Sequence, residues 1–192
     1  LGANITTTGA QTYAGAVTLS GGDRTLTAST VNTQSTLAGG NNALTITGAA
    51  DIDGAYTGLS SLSVSGTTNL GANVTTSGSQ TYQGAVTLSG GDRALTASTV
   101  NTQSTLAGGN NALTITGAAD IDGAYTGLSS LSITGAANLG ANITTTGAQT
   151  YAGAVTLSGG DRTLTASTVN TQSTLAGGNN ALTITGAADI DG

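Results

Sequence analysis

The sequence predicts an all-β chain wound as a parallel β-helix, or β-solenoid. Three features carry that expectation: a long internal repeat, a shorter repeat of about 18 residues inside it, and short aliphatic and β-branched side chains where a globular core would have aromatics.

The long repeat comes first. Leu1-Gly2-Ala3-Asn4 recurs as Leu70-Gly71-Ala72-Asn73 and again as Leu139-Gly140-Ala141-Asn142. The units are 1–69, 70–138 and an incomplete 139–192, and residues 1–54 and 139–192 are identical. The middle unit changes conservatively, Val74 standing for Ile5, Ser77 for Thr8, Ser79 for Ala10, Gln83 for Ala14 and Ala94 for Thr25. Residues 1–192 therefore read as one continuous solenoid, a window on a longer array. A row of three β-sandwich domains is disfavoured, because the shorter repeat would then be accidental.

That shorter repeat runs through Leu26-Thr27-Ala28-Ser29, Leu44-Thr45-Ile46-Thr47 and Leu62-Ser63-Val64-Ser65 at intervals of 18. Thr81-Tyr82 follows 19 later, and a last step of 14 reaches Leu95. About four coils per 69-residue unit are expected, the 14-residue coil being the odd one. Eleven or so coils at ~4.8 Å each would make a rod ~50 Å long.

Within a coil, alternation assigns the two faces of each strand. Leu44, Ile46 and Ile52 point one way and Thr45, Thr47, Asp51 and Asp53 the other. Gly21-Gly22-Asp23, Gly39-Gly40-Asn41-Asn42 and Gly58 supply residues that tolerate positive φ where the chain bends. One coil offers only aliphatics such as Leu26, Val31 and Leu37 for burial. That is too little apolar surface to offset the entropy of ordering it, so coils must stack and share hydrogen bonds.

Composition excludes several alternatives. There are 31 Gly, five Tyr and no Pro, Cys, Met, Trp, Phe or His, which implies a thin aliphatic interior. Only 6% of residues are charged, unlike a disordered chain. A net charge of −6 argues against a nucleic-acid partner. No apolar run approaches the ~18 residues of a membrane span. Any export signal or anchor would lie outside this segment.

Runs such as Asn4-Ile5-Thr6-Thr7-Thr8-Gly9-Ala10-Gln11-Thr12-Tyr13, Gly15-Ala16-Val17-Thr18-Leu19 and Leu59-Ser60-Ser61-Leu62-Ser63-Val64-Ser65-Gly66 resemble the repeats of filamentous-haemagglutinin-like exoproteins and large autotransporter adhesins. The likeness covers the whole chain. It implies a right-handed coil, in line with the usual hand of parallel crossovers. It also implies export to the bacterial cell surface or medium, and service as a stalk, adhesin or matrix fibre.

Candidate chemistry is sparse. With no His, Cys, Glu or Lys, neither a catalytic residue nor a cofactor or metal site is assigned, and the chain is not expected to be an enzyme. Asp51/Asp53, Asp120/Asp122 and Asp189/Asp191 could offer paired carboxylates to Ca²⁺, but a solvated acidic corner is favoured. Asp23-Arg24, Asp92-Arg93 and Asp161-Arg162 read as soluble turns, with lateral pairing to a neighbouring rod as the rival. Thr27/Ser29, Thr45/Thr47 and Ser63/Ser65 would stack as outward hydroxyls resembling ice-binding faces, interrupted at Tyr13, Tyr82 and Tyr151. The direction of Tyr13 and Tyr56 is open.

The function expected is a structural stalk or filament segment of a secreted or cell-surface bacterial fibre, serving adhesion or matrix formation. Its partners would be neighbouring repeats, identical fibres, or host and cell surfaces. The alternative is a repeat face that binds glycan, ice or calcium.

Overall fold

The computed structural model describes residues 1–191. Among them lie 24 β-strands of 2–10 residues and no helix. All pairings are parallel, and each strand meets its neighbour one coil later. Ile5 pairs with Leu26, Leu26 with Ile46, Ile46 with Val64 and Val64 with Tyr82, so the partners in this column follow one another at nearly even spacing along the chain. Two further columns run beside this one. Gln11, Val31, Ala50, Thr68 and Val86 form the second; Val17, Leu37, Tyr56, Val74 and Leu95 form the third. The chain visits the three sides in turn and stacks about ten coils into a β-solenoid.

Pairing runs without a break across the unit boundary, as at Tyr56–Val74 and Asn69–Thr87, and one 24-stranded sheet spans all three units. The 14-residue coil does not exist. Gln80, Thr81 and Tyr82 on the first side pair forward with Val100, Asn101 and Thr102, a full coil further on. Leu95 lies on the third side, one coil after its partner Val74. The step of 14 is two-thirds of a coil, taken for a whole one because similar Leu-Thr-x-Thr words occur on different sides. One 69-residue unit thus crosses eleven sides, three and two-thirds coils where the sequence suggested about four.

Leu26, Val31 and Leu37, one from each side, are fully buried. Leu44, Ile46 and Ile52 point inward as the alternation requires, and Thr45 is exposed. The interior is not purely aliphatic, however. Tyr56, Tyr82, Tyr125 and Tyr151 are the largest fully buried side chains, and Gln80 and Gln149 join them. The bore therefore encloses an aromatic ring at four places along about ten coils.

The corners explain the glycines. Gly21, Gly22 and Gly40 adopt φ of 73°, 119° and 59°, and Asn41 follows at 62°. Gly54 is required for a different reason: a Cβ there would stand 1.9 Å from the carbonyl oxygen of Ser35, one coil below. At this corner the backbones of successive coils stack too closely for any side chain.

Candidate functional site

Four side-chain arrangements recur once per unit, and each joins successive coils. The first is an amide–carboxylate ladder on the outer surface. Asn32, Asp51 and Asn69 are successive partners in register. Asn32 donates its Nδ2 to Asp51 Oδ2 at 2.8 Å, and Asn69 donates to Asp51 Oδ1 at 2.8 Å. Asp120 is held in the same way by Asn101 at 2.7 Å and Asn138 at 2.8 Å, and Asp189 by Asn170 at 2.8 Å. Charge-assisted bonds of this kind are stronger than neutral ones and here span three coils.

This arrangement corrects the reading of a freely solvated acidic corner. Asp51 is half-buried with both oxygens accepting, while Asp53 lies past the strand end, exposed. The two carboxylates do not act as a pair. Among the described residues no group of three or more His, Cys, Asp or Glu gathers as metal ligands would. The signal for the ladder was present in the sequence: Asn32 precedes Asp51 by one coil, and Asn69 follows it by one.

The second arrangement is the Asp-Arg corner. Arg24 folds back so that Nε donates to the carbonyl of Leu1 at 3.1 Å, Nη1 to that of Asp23 at 2.7 Å and Nη2 to that of Ser20. Asp23 Oδ1 accepts from the backbone N–H of Ala43 at 2.8 Å. The dipeptide therefore ties its own corner to the coil on one side through Arg and to the coil on the other through Asp. Arg93 with Asp92 and Arg162 with Asp161 repeat the pattern. These charges do more than solubilise a turn. A planar five-donor guanidinium suits a corner where several carbonyls converge.

The third arrangement settles the tyrosines, which point inward. Tyr82 donates its hydroxyl to Gln80 Oε1 at 3.1 Å, and Gln80 Nε2 donates to the carbonyls of Val74 and Thr96 at 3.1 and 2.9 Å. Tyr56 shares a hydrogen bond with Thr33 Oγ1 at 2.9 Å, as Tyr125 does with Thr102 at 2.8 Å. Burial pushes all four enclosed phenols well above their ordinary pKa, and the Thr33 hydrogen bond offsets only part of that rise for Tyr56. Sparse outward aromatic stripes are ruled out by this geometry.

The fourth is the hydroxyl rank, and its register differs from expectation by two residues at the first step. Thr25 stacks with Thr45 and then Ser63, while Thr27 stacks with Thr47. On the first side the outer column then runs Thr81, Asn101, Asp120 and Asn138, which ends the run of hydroxyls. No long flat hydroxyl plane forms on that side.

Among the described residues no pocket opens, and no helix is long and apolar enough to cross a membrane. The chain matches no family model, no characterised protein and no solved structure.

Proposed function

We propose that this chain is a segment of a non-catalytic stalk or filament of a secreted or cell-surface bacterial fibre, an assignment for which the resemblance of its repeats to exoprotein and adhesin repeats is the guide. The observation that carries the reading is the use made of the polar side chains. The Asn–Asp–Asn ladder, the Asp-Arg corner and the Gln80 amide, which donates to the Thr96 carbonyl, direct hydrogen bonds along the axis from one coil to the next. A rod that transmits load or sets a distance needs such axial ties. Its partners in this role are the neighbouring coils, with attachment to other fibres or to cell surfaces supplied by lateral contact or by other modules.

A repeat face that binds calcium is less well supported, because Asp51 and Asp120 already have both oxygens engaged. The test combines two measurements on the 192-residue chain. Pulled from its ends, it should lengthen in increments of one or a few coils, and its melting should be unaffected by chelator or by a panel of glycans. Saturable glycan binding, or a melting temperature that rises with Ca²⁺, would replace the stalk reading with a binding one.

A further inference from the structure

We infer that the 69-residue unit is a rotary increment: each copy gained or lost turns every residue on its C-terminal side by one third of a turn about the rod axis, while shifting it about 18 Å along that axis. The reason is arithmetic in the register. Eleven sides per unit is not a multiple of three, so equivalent residues of successive units cannot share a side.

Thr18, Thr87 and Thr156 show this directly. Thr18 belongs to the third side, in register with Ala38 and Thr57. Thr87 belongs to the second, between Asn69 and Ala107, and Thr156 to the first, between Asn138 and Ala176. The amide–carboxylate ladders of Asp51, Asp120 and Asp189 likewise fall on the second, first and third sides, and the three Arg corners on three different edges.

The solenoid accepts this because each segment meets the same neighbours in every copy. Gln80–Tyr82 packs between 62–64 and 100–102 on the first side, and Gln149–Tyr151 between 131–133 and 169–171 on the third. Both keep the Tyr–Gln hydrogen bond, at 3.1 and 3.0 Å. Local energy is blind to which side a segment occupies, so nothing opposes the turning. A feature present once per unit is therefore displayed on all three sides within three units, and copy number sets the azimuth of whatever follows. This holds whatever load or ligand the rod carries.

The test is to place spin labels on cysteines at Thr18, Thr87 and Thr156, two at a time, in a chain that has no cysteine of its own. All three positions are exposed strand residues. The 18–87 and 87–156 distances should be equal, and the 18–156 distance should fall clearly short of twice either one. A value of twice the shorter distance would mean that the copies lie in a straight line on one side, and would overturn the inference. Thr45, Thr114 and Thr183 form a second equivalent set should a label disturb the first. Deleting residues 70–138 joins Asn69 to Leu139, a junction identical to the native Asn69–Leu70. The 18–156 distance should then become the parent's 18–87 distance, and any other value contradicts a transferable increment.

Discussion

Residues 1–53 and 139–191 are the same sequence placed at opposite ends of the stack, and they are buried on opposite edges. Ile5 and Tyr13 are half-buried, whereas their equivalents Ile143 and Tyr151 are fully enclosed. In the other direction, Leu37 and Ile52 are fully enclosed while Leu175 is half-buried and Ile190 is 45% exposed. Identical side chains at equivalent positions differ in burial according to whether a coil lies above or below them, whichever side they occupy. Burial in this fold is conferred by the adjacent coil, so stability is a sum over neighbouring coils and not a property of the unit.

The largest effect that would sharpen this comparison is alkaline unfolding. The pKa of each enclosed tyrosine is raised in the folded state, so its contribution is intact below the unfolded value near 10 and is lost as pH climbs toward the folded value. Linkage gives a loss of about 1.4 kcal/mol per pH unit for each enclosed phenol in that window. Four such groups should make the chain fail steeply above about pH 10. Tyrosinate absorbance should show Tyr13 ionising first and the other four together with the loss of β-sheet circular dichroism. Five tyrosines titrating smoothly in a folded chain would refute the enclosure.

Core truncation comes next. Leu37→Ala should cost about 2–5 kcal/mol, and Leu175→Ala about half as much, although both remove the same atoms from the same sequence. Denaturant unfolding of the two variants measures the difference. Equal losses would break the comparison.

Glycine separates the ends in the reverse sense. A Cβ on Gly153 would lie 2.4 Å from the backbone of Gly135, whereas on Gly15 it would meet nothing within 4 Å. Gly153→Ala should cost about 1–3 kcal/mol and Gly15→Ala little or nothing, read from melting temperatures.

A smaller contrast lies in the buried hydrogen bond. Tyr151→Phe leaves Gln149 Oε1 without its donor inside the bore and should cost about 1–3 kcal/mol. Tyr13→Phe, at the open edge where water can replace the donor, should cost less. The smallest effect is expected at Thr68, whose buried hydroxyl has no partner and whose equivalent in the next unit is Ala137. Thr68→Ala should change stability by about 0.5 kcal/mol or less, because relief of the unmet hydroxyl offsets the lost methyl.

Most of the architecture was legible because alternation is a local signal. Leu44, Ile46 and Ile52 could be assigned inward, and Gly40-Asn41 to a bend, from a few adjacent residues. Register was less legible because it joins look-alike residues a whole coil apart. Thr45 matches Thr27 as well as Thr25 by type, and only the backbone ladder decides between them. The Asn–Asp–Asn ladder disappeared with that slip. The tyrosines were ambiguous for another reason: an aromatic on a strand as short as Gln80–Tyr82 has no alternation long enough to give its direction.

The most direct test of the stacking register is a pair of histidines at Thr87 and Ala107, which are exposed and adjacent across parallel strands. At the ~4.8 Å spacing of neighbouring strands the two imidazoles can chelate one Cu²⁺ ion. Stacking in this register predicts that Cu²⁺ raises the melting temperature of Thr87→His/Ala107→His but of neither single variant. A double variant indifferent to Cu²⁺ would show that these two positions do not lie side by side on successive coils, and would contradict the solenoid register itself.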